Sequence, residues 1–138
     1  MFLSYTADRY LVKGVDIMSD ASLGKAGEEA AVKYLRHTLG YAVLSQNYRN
    51  RLGEIDIIAQ DGDTLVFVEV KTRRSQQCGR PAEAVEDRKQ RKLSLVALSY
   101  MTRHHCWHMP CRFDVVEVIP SPQGFHLHHI RHAFLSKA

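Results

Sequence analysis

The stretch EIDIIAQDGDTLVFVEVK, residues 54–71, constrains this chain more than any other. Gly62 between two aspartates is a hairpin signal, and the runs on either side, 54–60 and 64–71, read as strands. Side chains alternate along a strand. Val66, Val68 and Val70 are therefore expected on one face of the second run, and Leu65, Phe67, Glu69 and Lys71 on the other. On the first run Ile55, Ile57 and Ala59 are expected to share a face, with Glu54, Asp56 and Ile58 opposite them. A one-residue slip would turn an all-apolar face to water, so the two apolar faces must coincide. A two-residue turn at Gly62-Asp63, or a four-residue turn over 61–64, meets that condition; a three-residue turn without a bulge does not. Asp56 then lies opposite Glu69, and Glu54 opposite Lys71.

The second face is thus apolar near the turn and carries four ionisable groups at its far end: Glu54, Asp56, Glu69 and Lys71. Opposed Asp56 and Glu69 repel unless a counter-charge joins them. Two hard carboxylates held together are what a divalent cation such as Mg²⁺ or Mn²⁺ takes as ligands. The same pattern also fits a salt-bridge cluster in which Lys71 neutralises Glu54 and Glu69.

The rest of the chain supplies alternating elements. Residues 22–39 read as a helix, with Ser22 as N-cap, Gly40 as its stop and an apolar stripe of Leu23, Ala26, Ala30, Leu35 and Leu39. Residues 41–48 read as a strand and Asn50 to Gly53 as a turn. A polar loop over 72–80 precedes a helix that Pro81 opens and that runs to about residue 103. After a loop over 104–111 come a strand, 112–119, a turn from Pro120 to Gly124, and a short final strand, 125–130. The order α-β-β-β-α-β-β implies an α/β fold with a mixed central sheet flanked by helices. Residues 1–19 lack periodicity and are expected to be a loosely ordered N-terminal extension to a single domain over 20–138.

The 138 residues are 45% hydrophobic and 25% charged, which suits one packed domain. No apolar run approaches the roughly 18 residues of a membrane span, and the N-terminus lacks the apolar core of a secretory signal. The expectation is a cytoplasmic protein with no membrane partner. Cys78, Cys106 and Cys111 have no disulfide-framework spacing and read as free thiols. The histidine-rich stretches 104–111 and 126–132 lack the paired ligand spacing of a structural zinc site. The net charge of +4 is concentrated: between Glu69 and Lys92 lie eight basic and four acidic side chains. Such a segment fits a polyanionic partner, and equally a solvated helix face.

Asp56, then Glu69-Val70-Lys71, resembles the D…(D/E)-x-K signature of the PD-(D/E)XK nuclease superfamily, whose restriction-endonuclease-like core has the order α-β-β-β-α-β. The wider set resembles the YraN family of small bacterial nuclease-like proteins, distantly similar to archaeal Holliday-junction resolvases. That set is Gly24-x-x-Gly27-Glu28, Asn47-Tyr48-Arg49, Gly53-Glu54-Ile55-Asp56, Val66 to Lys71, Pro81, Lys89-Gln90 and Arg112-Phe113-Asp114. The resemblance covers about residues 20–120. It implies a metal-dependent endonuclease acting on DNA, branched or single-stranded, in which Asp56, Glu69 and Glu28 hold Mg²⁺ or Mn²⁺ and Lys71 orients or activates the attacking water. Arg73, Arg74, Lys89 and Lys92 become candidates for phosphate contacts. Glu54 is expected to support the site by pairing with Lys71, and Gln90 to reach it from the second helix. The resolvase relatives act as dimers, so a homodimer is also implied. The alternatives are a non-catalytic nucleic-acid-binding module that keeps this fold, and a protein-interaction adaptor.

Overall fold

The computed structural model describes residues 2–7, 19–74 and 85–138. Six strands form one sheet in the order β1-β6-β5-β4-β3-β2. They are β1 (Phe2–Ala7), β2 (Ala42–Asn50), β3 (Gly53–Asp61), β4 (Thr64–Thr72), β5 (Cys111–Ser121) and β6 (Gly124–Phe134). Two helices complete the described elements, α1 (Asp20–Lys33) and α2 (Asp87–Arg103). Among the described strands only β4 and β5 pair parallel, and α2 lies in the crossover between them; the other pairs are antiparallel. The fold is mixed α/β and contains the α-β-β-β-α-β order of a restriction-endonuclease-like core.

The hairpin adopts the two-residue turn. Asp61 pairs with Thr64, Ala59 with Val66 and Ile57 with Val68. Gly62 has a φ of 61° while Asp63 keeps negative φ, the pattern of a type II′ turn, whose twist matches the strands it joins.

Each sheet face buries one helix. On one, Leu23, Ala30, Ala31 and Leu35 pack on Ile57, Ala59, Val66, Val68, Val116 and Val118. On the other, Leu93, Val96, Ala97, Tyr100 and Met101 of α2 pack on Ile55, Ile58, Leu65, Phe67 and Phe113. Val66 and Val68 share the α1 face, with Val70 partly buried beside them, and Leu65 and Phe67 share the α2 face, as their alternation requires.

Ile55 departs from that alternation. It was expected beside Ile57 and Ala59 but is buried with Ile58 on the α2 face. The pleat breaks at Asp56, where the β2–β3 register passes from Gln46↔Ile57 to Tyr48↔Ile55 and omits Asn47 and Asp56.

Element ends also differ from expectation. Helix α1 starts at Asp20, because Ser19, not Ser22, is the N-cap: the Ser19 hydroxyl accepts from the Ser22 N–H at 3.1 Å. It runs on into a π-helical turn, Tyr34–Thr38, and Gly40 follows with a φ of 73°. Pro81 lies outside the described residues; Val85 and Glu86 are not helical, and α2 begins at Asp87 behind Glu86 as N-cap. The final strand is not short. β6 spans 11 residues because it is paired on both sides, by β5 and by β1. Within the expected extension over 1–19, of which residues 8–18 lie outside the described residues, Phe2–Ala7 is therefore an edge strand. Its place is set by the open backbone edge of β6, which needs partners whatever the apolar pattern of the segment that supplies them.

Candidate active site

Three carboxylates from three elements come close enough to act on one another electrostatically where β3 and β4 part. The first is delivered by a glycine. Gly27 is buried against β4, and a Cβ there would collide with the Thr72 hydroxyl and stand 3.1 Å from its Cγ2. The missing side chain lets α1 lie close on the strand, so the next residue, Glu28, reaches the sheet end.

The second and third belong to the hairpin. The β3–β4 partners run out at Ile57↔Val68. Beyond that point the Val70 N–H donates to Asp56 Oδ2 at 2.8 Å, so a side chain replaces the missing backbone acceptor. The partly buried Asp56 carboxyl also lies within hydrogen-bonding reach of Glu69. The paired register ends one step before Asp56 and Glu69, and side-chain bonds hold the two strands together beyond it.

Asp56 is pushed up to about 7, by burial first, then by the Glu69 carboxylate, with Glu28 adding to it; the Val70 N–H opposes the rise. Glu28 is also raised, by burial first and then by Glu54, with a further contribution from Glu69. A hydrogen bond from the Asn47 side chain pulls the other way. The donor set, three hard carboxylates, suits a divalent cation. Among the described residues no three His, Cys, Asp or Glu side chains already stand in a metal-holding group.

The expected basic residues take up specific partners. Lys89, in the first turn of α2, places its ammonium 3.3 Å from Glu69 Oε2. Arg73 pairs with Glu117 at 2.9 Å and is largely buried. Arg74 pairs with Asp20 at the start of α1 at 3.0 Å. Lys92 is exposed on α2, and Lys71 is half-buried on β4, opposite Glu117 of β5. Glu54, expected to pair with Lys71, bonds Arg49 at 2.8 Å on the exposed rim. The two are antiparallel neighbours across β2 and β3, a shorter reach than across the parted β3–β4 ladder. The Gln90 side chain donates to the Val85 carbonyl at 2.8 Å, which fastens the start of α2 rather than entering the carboxylate cluster.

Asn47 belongs to the site, although the sequence offers it only as part of the family motif set and not as a site residue. It holds a φ of 55°, a left-handed conformation that asparagine tolerates better than most residues, and from there it reaches Glu28. The available signal was an asparagine inside a run that otherwise reads as a strand.

Arg112-Phe113-Asp114 serves a different purpose. Asp114 is buried and accepts from Arg112 Nε at 3.1 Å, from the His132 N–H at 3.2 Å, and from His129 Nε2 at 2.8 Å. With its proton on Nε2, His129 accepts on Nδ1 from the Tyr34 hydroxyl at 2.9 Å. Arg112 continues to Asp61 and to the Tyr41 hydroxyl. This network joins the α1 end to the hairpin turn and to β5 and β6. Cys106 and Cys111 are free thiols; Cys78 lies outside the described residues. No helix among the described residues is long and apolar enough to cross a membrane.

Comparison with known proteins agrees with the motif set. Residues 27–118 match the uncharacterised protein family UPF0102. A UPF0102 protein of Symbiobacterium thermophilum is 54% identical over 102 residues, covering 74% of this chain and 86% of its own length. One from Syntrophus aciditrophicus is 50% identical over 111 residues, covering 80% and 87%. One from Geotalea uraniireducens is 42% identical over 124 residues, covering 89% and 97%. Gly27, Asp56, Glu69, Lys71 and Asp114 all fall inside the matched region, and the chain belongs to the UPF0102 family, the YraN-like proteins.

Proposed function

We propose that this protein is a metal-dependent nuclease that cleaves DNA phosphodiester bonds, with branched or single-stranded DNA as its substrate. The observation that carries the reading is the convergence of Glu28, Asp56 and Glu69 at the parting of β3 and β4, with Asp56 pushed up to about 7 by burial first and then by the Glu69 carboxylate. A bound Mg²⁺ or Mn²⁺ would supply a water of lowered pKa and neutralise the scissile phosphate. Asp56 and Glu69 are the residues that would hold it, with Glu28 beside them. The chain's own contributions are positional. The Val70 N–H fixes the Asp56 carboxyl, and Asn47 steadies Glu28. Lys71, two residues along from Glu69, stands on the same strand face to orient the attacking water or oppose phosphate charge. Lys92, with Arg73, Arg74 and Lys89, offers sequence-independent phosphate contacts.

The test is cleavage of a panel of single-stranded, duplex and four-way-junction DNA, with RNA controls, in Mg²⁺ or Mn²⁺. Asp56→Asn, Glu69→Gln and Lys71→Met are each expected to lower cleavage at least about 100-fold, the scale of a lost general acid–base or electrostatic group. Cleavage that persists in all three assigns the activity elsewhere.

One observation favours a second reading, a nucleic-acid-binding module without catalysis. The Lys89–Glu69 ion pair already gives Glu69 a counter-charge. This reading expects salt-sensitive DNA binding with no cleavage in any metal.

A further inference from the structure

Resting on the metal reading above, we infer that Lys89 is a resident counter-ion of the carboxylate site: its ammonium holds the place of positive charge on Glu69 and is displaced when a divalent cation binds. The geometry is specific. Lys89 Nζ lies 3.3 Å from Oε2 of a Glu69 side chain that is only 13% exposed. The lysine itself is 48% exposed, so its flexible stem lies along the rim while its charge points in. It comes from α2, the helix across the sheet face from Glu28, and its backbone is fastened there. The Gln90 N–H next to it donates to the Glu86 carbonyl, and the Gln90 side chain donates to Val85.

The electrostatics call for such an occupant. A compact ammonium is the nearest side-chain substitute for a metal ion, but it is a single charge facing several carboxylates. A divalent cation drawn to Glu69 meets a like charge already seated there, so the two compete. The loser is the lysine, which has an exposed route outward. Once released, its charge stays on the rim of the site, where a phosphate oxygen of a bound strand is the nearest anion of suitable chemistry. The same lysine would then serve both states, keeping the carboxylates together without metal and holding substrate with it.

Calorimetric titration of Mn²⁺ into the full chain tests this, using wild type, Lys89→Met and Arg91→Met. Arg91 is exposed on the same turn of α2, two positions on and so on another side of the helix, and its loss changes net charge equally. Lys89→Met is expected to bind Mn²⁺ about fivefold more tightly than wild type, the scale of one partly exposed ion pair, and Arg91→Met within about twofold. In Ca²⁺, Lys89→Met is also expected to bind single-stranded DNA more weakly than Arg91→Met does. Mn²⁺ binding by Lys89→Met alone also supports the inference and makes the pair a lock. Equal Mn²⁺ affinities in the two variants overturn it while leaving the metal site standing. Absence of Mn²⁺ binding from all three proteins removes the metal site and the inference together.

Discussion

The Val70 N–H donates to Asp56 Oδ2 at 2.8 Å, so the carboxylate that defines the candidate site also finishes the hairpin that carries it. This double duty separates two substitutions. Asp56→Asn keeps an oxygen for Val70 and removes the charge; Asp56→Ala leaves the N–H without its partner, at a cost on the order of 1–3 kcal/mol.

The same residue makes metal-free stability depend on pH. Folding raises Asp56 from 3.8 to about 7, so the folded state holds its proton more tightly than the unfolded state. Its contribution is fully present below about pH 4 and is lost as pH rises through 7. Glu28, also raised, adds in the same direction. In EDTA, the urea midpoint of wild type is expected to fall between pH 4.5 and 8, and that of Asp56→Asn to fall less. At pH 8 the variant should be more stable by about 1 kcal/mol or more, the value of one unit of relieved shift. Parallel pH profiles for the two proteins would contradict this.

Gly27 governs how close Glu28 comes. Gly27→Ala is expected to cost about 1–3 kcal/mol, because the new methyl meets the Thr72 side chain. Adding Thr72→Ala clears that space, so the double variant should recover much of the loss in chemical denaturation. Additive costs would mean that the clash is not the cause.

Asn47 couples backbone and site. Asn47→Ala is expected to lose roughly 1 kcal/mol to its left-handed φ, and Asn47→Gly to lose little. Both lose the bond to Glu28. Asn47→Gly should therefore melt near wild type yet bind Mn²⁺ more weakly, a combination that thermal shift and calorimetry resolve.

The buried network is where stability is most exposed to a single change. Asp114→Ala strands Arg112 and His129 in the interior, with an expected cost of about 3–5 kcal/mol. Tyr34→Phe removes one bond to His129 and should cost about 1 kcal/mol. Denaturant midpoints of the two variants check the ranking, and a mild Asp114→Ala would refute the assignment of this motif to the core.

How much of this was legible beforehand depends on the range of the forces involved. The hairpin register and the juxtaposition of Asp56 with Glu69 follow from period-2 alternation and the chemistry of one turn, both local. The element order from α1 to β6, both helices and the mixed sheet followed from periodicity in the same way. The break in the pleat at Asp56, which sends Ile55 to the other face, did not. It arises where Asn47 of a neighbouring strand takes a left-handed conformation to reach a helix, and no property of residues 54–60 announces it. Likewise Lys89 was legible as a base in a basic segment, but its seat on Glu69 comes from the packing of α2 on the sheet. The edge strand Phe2–Ala7 exists because β6 leaves a backbone edge to fill. By itself, the sequence determined which residues alternate, where the chain turns and which carboxylates face each other, since these depend on neighbours a few positions away. Only the tertiary structure decided which charges neutralise them and which motif lies in the core, since those pairings join positions distant in the chain and are chosen by packing.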